Sequence, residues 1–248
     1  MNSSPHRLAL LACVMVATLA ATGCQHPRNA ANPTAPAAAS TRPPTREAQA
    51  AITPEQALEL LRAGNERFVS GRMLHRDLTA EVRASSRAQY PYAVVLSCLD
   101  SRQPIELVLD QGIGDIFSAR VAGNVLDDNI LGSMEFACKA SGAKLIAVIG
   151  HSNCGAIKGA VDDVQLGHLT QLLARIKPAI HQVPESVQPR SASNPAFVDQ
   201  VAEANVRLVM HQIRERSPIL REMLEQGQIG LAGGMYDLST GTVRFFGD

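Results

Sequence analysis

What most limits the folds open to this chain is a repeated pattern: an unbroken apolar run of strand length, a helical stretch, then another such run. The runs are residues 92–98 (Tyr-Ala-Val-Val-Leu-Ser-Cys), 116–121 and 144–150 (Lys-Leu-Ile-Ala-Val-Ile-Gly). A strand that is covered on both faces reads as continuous hydrophobic sequence, whereas a strand with one wet face alternates. Residues 104–110 and 127–140, lying between the runs, carry helical patterns. Strand and helix therefore alternate, which predicts an α/β fold with a central, largely parallel sheet flanked by helices. In such sheets the side chains that do chemistry gather at the carboxyl ends of the strands. A long helical region from 155 to 225, interrupted near 184–195, follows the third run. The chain then closes with 229–236 and 242–246, a hairpin turning about Ser239-Thr240-Gly241.

Upstream of the sheet the composition changes twice. Thr53-Pro54-Glu55-Gln56 places a capping residue, a proline at the first helical position and a Gln three residues after the cap, so an N-terminal helical arm starts there. It runs to Gly71, and a second helical stretch covers 80–88. Residues 24–51 hold Pro27, Pro33, Pro36, Pro43 and Pro44 among Ala, Ser, Thr and Asn, a composition expected of a flexible linker. Before it, an apolar run at 8–21 follows His6-Arg7 and is too short for an ordinary transmembrane helix. Residues 1–23 are thus expected to be a signal peptide. Leu19-Ala20-Ala21-Thr22-Gly23-Cys24 resembles a bacterial lipoprotein signal, with Ala21 where Leu is usual, and makes Cys24 the lipidation candidate. Cleavage without lipid and an uncleaved anchor are the other two readings. All three place the domain at 52–248 outside the cytoplasm, on the periplasmic side of a bacterial cell envelope.

Two clusters fall at strand ends. Cys98-Leu99-Asp100-Ser101-Arg102 ends the first run, and its alternate residues Cys98, Asp100 and Arg102 share a face while the chain stays extended. His151-Ser152-Asn153-Cys154 follows the third run, with Gly150 expected to make the tight turn that presents it. Taken singly, each piece has an ordinary explanation: Cys98 as a small buried hydrophobe, Asp100 with Arg102 as a structural ion pair. Taken together, Cys98, His151 and Cys154 supply the soft thiolate and imidazole donors that suit Zn²⁺, and three ligands leave a fourth tetrahedral position open. The other cysteines fit this division. Cys13 lies in the signal and Cys138 in a helical pattern as core, so no even, dense disulfide set is present.

At these residues the chain resembles the β-class carbonic anhydrases over 52–248. The resemblance also takes in Gly114-Asp115-Ile116-Phe117, Arg120-Val121-Ala122-Gly123-Asn124 and Gly234-Met235-Tyr236-Asp237. It implies one Zn²⁺ per subunit on Cys98, His151 and Cys154, and a homodimer or higher even oligomer. It also implies that Asp100 either pairs with Arg102 or swings to the metal as a fourth ligand. Gln89, nine residues before Cys98, stands where the family has a substrate-binding Gln. Phe117 and Ala122 stand at apolar pocket positions. Phe136 stands where a partner subunit often contributes an aromatic, frequently Tyr, whose hydroxyl Phe136 lacks. The implied activity is reversible hydration of carbon dioxide to bicarbonate and a proton by zinc-bound hydroxide, with Asp100 orienting the hydroxide and Arg102 holding Asp100 off the metal.

Composition narrows the alternatives. Lys plus Arg and Asp plus Glu both number 23, so no basic field exists to hold a nucleic acid. Trp is absent and aromatics are 4%, which disfavours stacking platforms for bases or sugars. Three other readings stay open on sequence: a carbon disulfide or carbonyl sulfide hydrolase using the same ligands, a non-catalytic zinc or bicarbonate-binding protein, and a metal-free thiol redox protein built on Cys98 and Cys154.

Overall fold

The structure, a computed structural model, describes residues 43–247. The expected signal peptide, the Cys24 lipidation candidate and most of the linker lie outside the described residues. The linker was expected to continue to 51, but the folded part begins earlier. Helix α1 (Arg46–Ala51) is capped by Thr45 and docked through Gln49, whose side-chain amide donates to Pro91 O at 2.7 Å and Ser141 O at 2.8 Å. These two hydrogen bonds, the first of them buried, hold a segment whose composition offers little apolar surface. The Arg46 guanidinium, 5.3 Å from the Tyr90 ring centroid, adds a cation–π contact.

Helix α2 (Pro54–Val69) starts with the expected capping box, Thr53 and Gln56 bonding reciprocally to each other's backbone N–H. Helix α3 is Leu78–Ser85. Strand β1 (Ala93–Ser97) leads through the short helix α4 (Ile105–Val108) to strand β2 (Ile116–Arg120). A 3₁₀ turn (Ala122–Asn124), helix α5 (Asp128–Glu135) and a π turn (Phe136–Ala140) return the chain to strand β3 (Leu145–His151). The expected long helical region is five helices: α6 (Gly155–Val161), α7 (Gly167–Ala174), α8 (Lys177–Gln182), α9 (Pro195–Arg216) and α10 (Pro218–Glu225). Pro178 and Pro195 sit at helix starts, where the missing N–H costs nothing. Strands β4 (Gly230–Tyr236) and β5 (Val243–Phe246) form the closing hairpin.

The five strands make one sheet in the order β2-β1-β3-β4-β5, parallel except for the antiparallel edge strand β5. The unbroken apolar runs have the cause expected of them: β1 and β3 are buried along their whole lengths. Val94, Leu96, Ile146 and Val148 face α9 and α5 on one side. Val95, Ala147 and Ile149 face α2 and α4 on the other. Each fully buried aliphatic side chain of this kind contributes about 1.5–3 kcal/mol. β1 and β3 lie side by side in register, Ser97 against Ile149, so the residues that follow them emerge at the same edge of the sheet.

Candidate metal centre

At that edge Cys98, His151 and Cys154 are all buried, and their ligating atoms lie within 4.8 Å of one another. Cys98 follows β1 and His151 ends β3. Cys154 is the residue before α6, where the backbone N–H groups of Ala156 and Ile157 face its sulfur. Gly150 is not the expected turn. It stays in extended β3, and a Cβ there would sit 2.9 Å from Val206 Cγ2 and 3.0 Å from Met235 Sδ, so close packing of α9 on the sheet requires the glycine. The turn is made by Ser152 and Asn153, the latter at φ 55°, and its N–H donates to Asp199 of α9 at 2.9 Å. Ser152 N–H donates to Tyr236 O at 2.9 Å, which ties the turn to β4.

The His151 ring is set for a metal. Nδ1 lies 2.9 Å from Ser152 O, a bond that needs the proton on Nδ1 and leaves the Nε2 lone pair free. That Nε2 is fully buried and has no hydrogen-bond partner among the described residues. An unpaired imidazole nitrogen beside two thiol sulfurs is costly unless a cation completes it, and tetrahedral Zn²⁺ with its N/S preference fits the donor set.

Cys98 gives up its proton readily, and the proton that remains is held by Cys154 and shared with the Cys98 sulfur. Donation from the Cys154 thiol, with backbone N–H groups beside it, holds the Cys98 thiol well below its ordinary value, whereas the same bond and burial push Cys154 well above its own. A cation that replaces the shared proton relieves both sulfurs. The Gly123 N–H donates to Cys98 Sγ at 3.3 Å. Gly123 adopts φ 63°, and a Cβ on it would lie 2.7 Å from Ile176 Cδ1, so only glycine suits this place.

Asp100 and Arg102 form the fork that the sequence suggested. Arg102 donates from its backbone N and Nε to Oδ1 at 2.9 Å each, and from Nη2 to Oδ2 at 2.8 Å. These bonds hold the Asp100 carboxyl well below the usual carboxylate range. Asp100 Oδ2 is 3.8 Å from His151 Nε2, so the carboxylate lies beside the triad while turned toward Arg102.

Two supports escaped the sequence reading. Arg120, at the end of β2, donates to Cys98 O at 3.1 Å and to Asp100 O at 2.6 Å, fixing the backbone on either side of Leu99. Asp199 holds the hook through Asn153, as above. Arg120 stood in a stretch already singled out, but a guanidinium that bonds carbonyls in the loop after a neighbouring strand leaves no local pattern, and Asp199 is 46 residues from its partner.

The positions expected to line a substrate pocket divide. Ala122 opens the 3₁₀ turn, one residue before the Gly123 that bonds Cys98, and so lies at the metal end. Gln89, Phe117 and Phe136 do not join it. Gln89 is exposed before the start of β1, and the strand alone separates it from Cys98 by about 16 Å at ~3.3 Å per residue. Phe117 pairs with Val94, four residues before Cys98, which is about 13 Å back along the sheet. It meets Phe136 edge to face at 6.1 Å between centroids, and both line a cleft of about 670 Å³ with Val94 and Ile130. Phe136 is 55% exposed there.

Comparison with known proteins bears on this geometry. A family model described as carbonic anhydrase matches residues 93–243. The chain is 35% identical over 192 residues to a carbonic anhydrase of Mycolicibacterium smegmatis, covering 77% of this chain and 92% of the relative. It is 34% identical over 189 residues to carbonic anhydrase 2 of Mycobacterium tuberculosis, covering 76% and 90%. Among solved structures it is similar to a tetrameric β-carbonic anhydrase of Sordaria macrospora, with TM-score 0.60 and 25% identity over 66% of this chain and 84% of that one. A β-carbonic anhydrase of Aspergillus fumigatus gives TM-score 0.60 and 27% identity, covering 68% and 81%.

Proposed function

The chain belongs to the β-class carbonic anhydrases, and from that premise we infer how its own residues serve the reaction. The protein is a lyase that catalyses the reversible hydration of carbon dioxide to bicarbonate and a proton, with zinc as cofactor. The observation that carries this reading is the buried, unpartnered His151 Nε2 beside two sulfurs, with an ionised carboxylate next to it.

Cys98, His151 and Cys154 would hold the metal. Zinc when bound supplies a Lewis acid that brings the pKa of a coordinated water from 15.7 down toward ~7, the value familiar from histidine-ligated carbonic anhydrases. The Ser152 carbonyl keeps the His151 proton on Nδ1 and so keeps Nε2 a ligand. Asp100 Oδ2 is the acceptor at hand to orient the attacking water, because it stays ionised and faces the triad. Arg102, bonded to both carboxylate oxygens, keeps Asp100 from turning onto the metal. Ala122 and the 3₁₀ turn give carbon dioxide, small and apolar, a wall without competing hydrogen bonds.

Substrate binding is completed by a second copy of the chain. Gln89, Phe117 and Phe136 lie away from their own triad; Gln89 is exposed ahead of β1, and Phe136 is exposed at the cleft it shares with the half-buried Phe117. That placement supports a homodimer or higher even oligomer in which each copy lends its Gln89 amide and two phenyl rings to its neighbour's metal centre. Export to the cell envelope and lipidation of Cys24 belong to the same reading. Their support is the apolar run at 8–21 and the Gly23-Cys24 junction. Mass spectrometry of the mature N-terminus tests them: a diacylglyceryl-modified Cys24 is expected, and an intact Met1 would refute both.

Stopped-flow measurement of carbon dioxide hydration on the full chain, before and after zinc removal and restoration, tests the activity. Turnover that falls with zinc content and returns at one zinc per subunit is expected. Absence of turnover with one zinc bound would refute it.

A further inference from the structure

Helix α9 packs on the sheet through an apolar stripe that includes Val201, Ala202, Val206 and Val209, and in the middle of that stripe stands a polar residue, Asn205. It is 1% exposed. Packing alone does not call for an amide at such a place, since burying one without a full set of hydrogen bonds is unfavourable. Asn205 is only half satisfied. Nδ2 donates to Gly123 O at 2.8 Å, and Oδ1 has no hydrogen-bond partner among the described residues.

The single bond it makes goes to a telling partner. Gly123 is the residue whose N–H donates to Cys98 Sγ at 3.3 Å. Its backbone therefore carries two bonds in opposite directions, the N–H to a metal ligand and the carbonyl to α9. Gly123 reaches φ 63° without strain because it lacks a Cβ, but for the same reason it leaves that conformation without resistance. Something outside the turn must hold it. Val121 O, accepting from Asn124 N–H at 2.9 Å, closes the turn locally and leaves the Gly123 carbonyl to Asn205.

We propose that Asn205 is a positioning residue of the metal centre, holding the Gly123 carbonyl so that the Gly123 N–H stays on the Cys98 sulfur. An N–H donated to a thiolate fixes the direction of its remaining lone pairs and draws charge from the sulfur, which governs how strongly it binds a metal. Removing a group bonded to a metal ligand changes metal affinity by roughly 10–100-fold, and Asn205 acts one bond further out, through Gly123, so its effect belongs at the lower end of that range. The proposal rests on the metal-centre reading and does not depend on which substrate is turned over there.

The test compares Asn205→Leu and Asn205→Ala with Val209→Ala, a truncation at an equally buried α9 residue in the main core cluster, away from the triad. Zinc affinity is read by competition with a chromophoric chelator, the cobalt-substituted proteins are read by the energy of the sulfur-to-metal charge-transfer band, and thermal unfolding is recorded for each. Both Asn205 variants are expected to lose zinc affinity about tenfold or more and to shift the cobalt band. Val209→Ala is expected to unfold at lower temperature with affinity and band unchanged. Asn205 variants with wild-type affinity and band, or variants of Asn205 that both fail to fold, would overturn the proposal in favour of a purely fold-holding role. A wild-type protein that takes up no zinc would overturn the metal centre and this inference together, and is told apart by the wild-type measurement alone.

Discussion

The two ends of β1 differ in how much of their task one chain completes. At the carboxyl end, three ligands, a carboxylate and its guanidinium fork, and the backbone donors that steady them all come from the same chain and are buried or bonded. At the amino end and along the adjacent β2, Gln89 and Phe136 stand exposed, with no substrate centre within their reach. Burial explains the difference. Charged and polar ligands must be held by a dense set of bonds that only a folded interior supplies. Groups that touch a small apolar substrate need only be presented, and an oligomer interface can present them.

The largest effect should come from breaking the self-contained end. Cys98→Ser removes one thiolate and is expected to leave the protein folded but zinc-poor, with turnover down on the order of 10³-fold or more, read by metal analysis and stopped-flow together. Full zinc content in this variant would mean that the triad is not the metal site.

Arg102→Ala comes next and sharpens the claim that this end completes itself. Without the fork, Asp100 is free to turn onto the metal, and turnover is expected to fall by about 10²-fold with zinc retained. The pH behaviour supplies a second readout. Because bonds from Arg102 lower the Asp100 pKa, the stabilisation they give is present above the ordinary carboxylate value and is lost only as acid takes the pH below it. Wild-type turnover should therefore show no carboxylate limb above about pH 4, near the ordinary Asp value. Near-normal turnover in Arg102→Ala would contradict the role given to the pair.

Gln89→Ala addresses the other end. It removes one neutral hydrogen bond to substrate and should lower kcat/KM by about 3–10-fold with unchanged zinc content. Phe136→Tyr adds a hydroxyl at the cleft shared with Phe117 and should change kcat/KM by about threefold at most. A loss of zinc in either variant would mean that the two ends are not separate.

Legibility in the sequence follows the same division. The strands could be read because β1 and β3 are covered on both faces, and the ligands because Cys and His stand at the ends of those strands. Asp100 and Arg102 are two residues apart, so their pairing is local. What could not be read depends on distance along the chain. Asn205 is 82 residues from Gly123, and Asp199 is 46 from Asn153. Gly150 looked like a turn because nothing local reveals that Val206 presses on it. Helix α1 was hidden because two hydrogen bonds of Gln49, rather than an apolar face, hold it. Gln89 could be aligned with a motif, but only the strand lying between it and Cys98 shows that it cannot serve its own triad.

On the proposed reading, each chain holds a complete metal centre and half a substrate pocket. This claim is tested most directly by hetero-oligomers purified through two affinity tags, one subunit carrying Cys98→Ser and the other Gln89→Ala. In such a pair only the Gln89→Ala subunit holds zinc, and its neighbour still has Gln89. If the pocket is completed across subunits, carbon dioxide hydration per zinc returns to near the wild-type rate. With the Gln89→Ala homo-oligomer lowered as expected, turnover per zinc that stays at that lowered value in the mixed pair would mean that Gln89 acts within its own chain, and the claim is contradicted.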